Sequence, residues 1–290
     1  MSTTAFAHNT NKYHANDWLA TTVIYTFSAL VLIALALPIG EIIINGYDKL
    51  SLDFITQLPE DSGRSGGISS ILASTALIVL IAMITATPLA LCTAIMLTEY
   101  LPEHSLRSSI IRGSLDVLAG VPSVVFGLFG LAFFCQTLEL GYSILAGGLT
   151  LACMILPTLS RSITSALHTV GDEYRISGAA LCLSRLSTLW HVTLPVVLPG
   201  IAVSVLLGLT RAIAETALLL FTSGYSDKMP SSITDSGRSI SVHIYELATN
   251  VPGGQQSAYG SALVLLLSLL LLSVVLHLTT HKLQRRMIRG

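Results

Sequence analysis

An arginine and a glutamate, Arg211 and Glu215, stand four residues apart in a stretch that is otherwise mostly apolar from Leu194 to Thr222. A charge placed deep in an apolar run costs at least a few kcal/mol, so it persists where it is paired or faces a polar cavity. On a helix, a spacing of i, i+4 puts two side chains on one face, where they can pair. Ser204, Gly208, Arg211, Glu215 and Thr222 follow one another at steps of 4, 3, 4 and 7, a stripe of polar or small residues facing partners rather than lipid. Two readings stand side by side. In one, Arg211 offers an anion a planar fork of donors that stays charged when buried, and Glu215 neutralises it between anions. In the other, the two residues form a structural ion pair that fixes helix packing.

A second segment with chemical interest runs from Ser160 to Thr193 and is moderately polar and rich in Ala, Leu and Ser, so it reads as helical. It ends in His191-Val192-Thr193-Leu194-Pro195, with Pro199-Gly200 just beyond. By composition it is an amphipathic connector lying on a membrane surface. Its alternative is a contact through which an outside motor moves the chain. The other reactive residues form no recognisable set. His277 and His281 share a helix face, but with no third ligand they read as an interfacial polar cap. The four cysteines, Cys92, Cys135, Cys153 and Cys182, contain no C-x-x-C and read as small packing residues. No P-loop G-x-x-x-x-G-K-[ST] and no nucleophile–base arrangement stands out. Neither an enzyme nor a bound cofactor is therefore expected, and ATP, if used, is hydrolysed elsewhere.

These residues must be positioned by elements suited to lipid. Of 290 residues, 11% are Asp, Glu, Lys or Arg and 52% are apolar, against about 25% charged in an ordinary soluble domain. Mean hydropathy is +0.74. Six stretches carry no such charge: 18–40, 65–98, 117–138, 140–160, 186–210 and 247–281. Each is long enough for the roughly 20 helical residues that cross a bilayer core, and helices satisfy their own backbone in lipid. The chain thus reads as an all-α polytopic membrane protein with six transmembrane helices. The expected spans are Trp18–Ile44, Ile68–Leu97, Ser114–Gln136, Tyr142–Leu159, Leu194–Thr222 and Tyr259–His281. Pro122, Gly127 and Gly130 predict a kinked or closely packed third span. The first apolar segment has the weak flanking charge of an uncleaved helix rather than of a signal peptide. With both termini in the cytoplasm, ten basic residues lie inside and four outside, as the positive-inside rule requires. The net charge of −1 implies no nucleic-acid partner.

Several stretches resemble one family. Arg211-Ala212-Ile213-Ala214-Glu215-Thr216-Ala217-Leu218-Leu219-Leu220-Phe221-Thr222 is similar to the R-A-x-G-E-T-A-P-L-L-F-T stretch of phosphate ABC transporter permeases of the PstA type. Leu97-Thr98-Glu99-Tyr100, Leu118 to Gly130, Gly147-Gly148-Leu149-Thr150-Leu151 and Ile155-Leu156-Pro157 also resemble that family, in order, between about 68 and 281. The segment before Leu194-Pro195 resembles the ATPase-docking loop of such permeases. There the family's E-A-A falls on Ile176, Ser177 and Gly178, its Gly on Cys182 and its Ile on Val192.

The resemblance implies a type I (MetI-like) ABC importer permease. It divides the chain into a cytoplasmic tail (1–17), a first helix with external loop (18–67), a permease domain (68–281) with coupling segment 160–193, and a basic tail (282–290). The implied substrate path holds Arg211, Glu215, Thr216 and Ser204. The implied ATPase contact holds Ile176, Ser177, Gly178, Ala179, Cys182, Val192, Leu194 and Pro195. The implied partners are a second, PstC-like permease, two PstB-like ATPases, a periplasmic PstS-like phosphate-binding protein, inorganic phosphate and the lipid of a bacterial inner membrane. Where the family has Gly and Pro, this chain has Ala214 and Leu218, which predicts a more regular helix here. Another oxyanion as substrate, a phosphate sensor or scaffold that does not transport, and a self-contained secondary transporter are the competing expectations.

Overall fold

The structure is a computed structural model that describes residues 10–102 and 105–289. It is helical nearly throughout. The long helices are α1 (Thr10–Gly46), α3 (Ser69–Ile95), α6 (Ile144–His168), α9 (Leu194–Ala214) and α11 (Gln255–Arg289). Shorter ones are α2 (Leu52–Thr56), α4 (Leu106–Gly120), α5 (Ser123–Gly130), α7 (Asp172–Ala180), α8 (Arg185–Thr188) and α10 (Ile240–Thr249). A two-stranded antiparallel hairpin, β1 (Pro59–Glu60) and β2 (Ser65–Gly66), is the only sheet among the described residues. Five helical segments are long and apolar enough to cross a membrane. A sixth crossing is the bent pair formed by α4 with α5 and its wide-turn continuation to Thr137.

That pair is the kinked third span expected from Pro122, bent further than a single crossing helix would be. Val121 leaves the helix at ψ 129°, Pro122 follows, and the two halves meet at 97°. Proline removes a backbone donor and pushes its predecessor out of the helical region, so the break falls where Pro122 stands. The first helix begins at Thr10 rather than near Trp18, so residues 10–17 of the expected loose tail are helical. Residues 1–9 and Gly290 lie outside the described residues.

The core forms around α3 and α6. Ala82, Ala86, Ala90 and Ala94 recur every four residues on α3 and are fully buried. Small side chains let helices approach closely in lipid, where dispersion and packing replace the hydrophobic effect. Gly148 of α6 meets α3 at a point where a Cβ would come within 2.7 Å of Ile81. Ile78, Leu151, Ile155, Leu159 and Ile163 fill the rest of that interface. Burial then grades outward: 67% of the most apolar window of α6 is enclosed, against none of α1. The side of α1 is held near its end, where Tyr259 on α11 donates to Glu41 Oε1 at 2.7 Å.

Helix starts are secured by serine. Ser51, Ser105, Ser143, Ser184 and Ser239 each accept a backbone N–H from the first turn of the helix that follows, a contribution of about 1 kcal/mol apiece. At the end of the bundle opposite α7, the β-hairpin packs on α10. Gly63, at φ +91°, lies so close to the His243 ring that a side chain there would run into it.

Candidate substrate path and coupling segment

Arg211 lies one turn before the end of α9. It opens on a cavity of about 520 Å³ between α9 and α6. Ser204, Gly208 and Thr210 of α9 line it with Thr158 and Ser162 of α6. The glycine at 208 opens the wall, since a Cβ there would reach only ordinary contact with Leu159. The hydroxyls are held back into their helices: Ser204 donates to Gly200 O at 3.0 Å, Thr210 to Leu207 O at 3.0 Å and Thr158 to Ile155 O at 2.9 Å. Arg211 makes no hydrogen bond or ion pair among the described residues. The donor that the cavity offers is therefore the uncommitted Arg211 guanidinium, with Ser162 beside it, and a guanidinium fork suits an oxyanion.

Among the described residues the expected Arg211–Glu215 pair does not form. The helix that would hold the two at i, i+4 ends at Ala214, and Glu215 is extended at φ −73°, ψ 132°. Its peptide oxygen accepts from Ser241 Oγ of α10 at 2.5 Å. Leu218 is fully buried and abuts Gly127 of α5, where a Cβ would come within 2.9 Å of the Leu218 Cα. A short 3-10 turn, Leu219–Phe221, follows. The expectation of a more regular helix at Ala214 and Leu218 is thus overturned. Packing of Leu218 on α5 and capping by Ser241 hold the chain open without glycine or proline. Thr216 falls on the far side of this break and lines a different cavity with Ser241 and Ser273. Of the four expected path residues, Ser204 and Arg211 share a cavity and Glu215 and Thr216 do not.

Sequence spacing along α9 alone could not find the α6 wall. Thr158 and Ser162 sit one turn apart, so their own i, i+4 spacing carries the signal.

The second segment folds as α7, a tight turn, α8 and a wide turn, Leu189–Thr193, that runs into α9. Ile176 and Ser177 are exposed on α7. Gly178 is buried, and a Cβ there would come within 2.7 Å of the Thr188 hydroxyl. The backbone of Ala179 belongs to α7, while its side chain lies outside the described residues. Leu183 N donates to Gly178 O at 3.0 Å, and Cys182 sits at φ +55°. This is the helix-ending motif in which a left-handed residue lets the chain turn back and satisfy a free carbonyl. Val192 and Leu194 are half-buried at the base of α9, and Pro195 occupies its first turn, where a proline needs no donor. Ile176, Leu181, Leu186 and Trp190 are exposed by 67%, 73%, 55% and 61%, an apolar ridge that the rest of the chain leaves uncovered.

Residues 86–289 match the family described as "Binding-protein-dependent transport system inner membrane component". The chain is 30% identical over 273 residues to the "Probable ABC transporter permease protein YqgI" of Bacillus subtilis, covering 89% of this chain and 92% of that protein. It is 33% identical over 233 residues to the "Phosphate transport system permease protein PstA 2" of Mycobacterium tuberculosis, covering 79% and 77%. Among solved structures, a bacterial ABC transporter that imports the acidic polysaccharide alginate superposes with a TM-score of 0.67 at 13% identity, over 93% of this chain and 98% of that one. The MetNI methionine ABC transporter gives 0.59 at 12%, over 75% and 94%. At such identities the structures establish the fold, that of MetI-type importer permeases.

Proposed function

We propose, from the premise that this chain belongs to the family of binding-protein-dependent transport system inner membrane components, that it is the membrane-spanning subunit of an ATP-driven phosphate importer. The observation that carries the substrate is Arg211, an uncommitted guanidinium in a hydroxyl-lined cavity of a chain whose relatives include phosphate permeases. A second permease subunit completes the path, two ATPases drive it, and an external binding protein delivers phosphate. The membrane is a bacterial inner membrane, and the basic residues favour both termini in the cytoplasm.

In this reading α7 and α8 form the ATPase contact. The chain has no nucleotide motif, so motion must reach it through a surface. The ridge of Ile176, Leu181, Leu186 and Trp190 offers such a surface, and the wide turn 189–193 joins it to the helix that carries Arg211. Arg211 provides a weak, transient site, because an ion held too tightly does not leave. Ser162, in the same cavity, donates to its oxygens. Glu215 and Thr216 sit beyond the break, where they act on the external side of the path.

Vesicles holding this chain with its partner subunits test the reading. ATP-dependent uptake of labelled phosphate is expected, with sulfate and molybdate competing poorly. Uptake that prefers another oxyanion reassigns the substrate. Uptake by this chain alone, without ATP, removes the subunit role altogether. No uptake under any of these conditions favours a sensor or scaffold.

A further inference from the structure

A second cavity, of about 430 Å³, opens between α4 and α6 at the end of the bundle that leads into α7. Arg112 and Asp116 of α4 line it, with Arg161, Thr164, Ser165 and His168 of α6. Arg161 pairs through Nη2 with Asp116 Oδ1. Arg112 Nε donates to Ser108 Oγ at 3.2 Å, while its Nη2 is buried and has no partner among the described residues. A buried donor without an acceptor is costly, more so on a charged group. Two guanidinium groups face one carboxylate, so the cavity keeps one positive charge and at least one desolvated donor to spare. Thr158 and Ser162 line the Arg211 cavity and Ser165 lines this one. Arg161, Thr164 and His168 of this cavity lie to one side of the Thr158–Ser162 row, so the two cavities open on adjoining faces of α6.

We propose that this cavity is a second oxyanion site, taking a phosphate group, with Arg112 and Arg161 as donors and Asp116 as an internal anion that the ligand displaces from Arg161. A carboxylate presents two acceptor oxygens to a guanidinium much as a phosphate does. Asp116 thus holds Arg161 in place when the site is empty, and Arg112 supplies the contact that Asp116 leaves unmet. The phosphate group comes either from free inorganic phosphate or from an anionic lipid headgroup at the membrane surface. Use of the site as a release station for transported phosphate rests on the function proposed above; its occupancy does not.

The test uses the full chain in phosphatidylcholine nanodiscs, with Ser165→Cys as reporter and Cys92→Ser and Cys182→Ser to silence exposed thiols. The rate of reaction with a methanethiosulfonate reagent is measured against inorganic phosphate, and separately with phosphatidic acid in the disc. Protection by phosphate alone assigns the free ion, and protection by phosphatidic acid alone assigns the headgroup. Arg112→Gln is expected to raise the half-protecting concentration about tenfold, the scale of a lost charge-assisted bond. Asp116→Asn is expected to lower it about threefold, as removal of a solvent-accessible competitor. Opposite signs in two equally inserted variants exclude misfolding as the cause. Unchanged labelling with both probes overturns the site, as does protection indifferent to both substitutions. Normal uptake by the assembled importer with no protection removes this site and leaves the permease reading intact. Protection with no uptake does the reverse.

Discussion

The role proposed for Arg211 derives from what surrounds it. A free guanidinium beside Thr158, Ser162 and Ser204 keeps its five donors for an incoming anion. Arg211→Gln is expected to reduce phosphate uptake about tenfold or more while leaving insertion unchanged, and Arg211→Lys, which keeps the charge without the fork, is expected to fall between. Initial uptake rates at matched protein levels check this, and wild-type rates in Arg211→Gln would sink the role. A different cation-bearing pair sits outside the spans. Arg238 donates through Nε and Nη2 to Tyr225 O at 3.0 and 2.7 Å and through Nη1 to His243 Nδ1 at 3.3 Å. Burial of His243, and then the Arg238 charge, push its pKa from 6.5 down to about 3. Between those values the unfolded chain binds a proton that the folded chain refuses. Stability is therefore full above pH 6.5 and falls as pH drops below it, by up to about 1.4 kcal/mol per unit. Unfolding midpoints followed from pH 6.5 toward about 4.5 should show this slope, and His243→Gln should flatten it.

At the scale of elements, the turn after α7 shows how geometry outlasts composition. The family resemblance places a glycine where this chain has Cys182, and Cys182 nevertheless adopts the left-handed conformation, φ +55°. A side chain there costs on the order of 1 kcal/mol. Cys182→Gly is expected to stabilise the chain by about that much; a loss of thermal stability would show that the thiol makes a contact worth more than the strain. The crossings themselves were legible, because a span of twenty uncharged residues has little else to become. So was the kink at Pro122, since proline acts on its own backbone. The end of α9 was not. Ala214 and Leu218 are ordinary helix residues, and what stops the helix is Ser241 and Gly127, distant in sequence. For the same reason Arg211 and Glu215 looked paired when read along one helix. Half of the Arg211 cavity belongs to α6, and no periodicity within α9 reports a neighbour's hydroxyls.

The whole molecule is built to be completed by others. The apolar length of α1 is exposed, with Leu30, Leu32 and Leu37 at 60%, 67% and 68%, a surface for lipid or for the proposed second permease. The ridge on α7 and α8 faces the other way, toward the proposed ATPase. A thiol crosslinker should join Cys182, which is exposed, to cysteines engineered in the ATPase groove of an assembled complex. Failure at every position across 176–186 would count against that contact. The break at Glu215 has a mechanical consequence for such an assembly. Twenty-one residues of helix make a rod about 31 Å long, which in the proposed function is driven at its base by the segment 189–193. A continuous rod would carry every displacement at the base to the opposite face of the membrane. This one stops at a joint, and the piece beyond it packs on α5 through Leu218 and Thr222 and on α6 through Ser223. In the proposed importer such a joint would let the lower arm swing while the outer mouth stays still, so that the two gates need not move in the same instant.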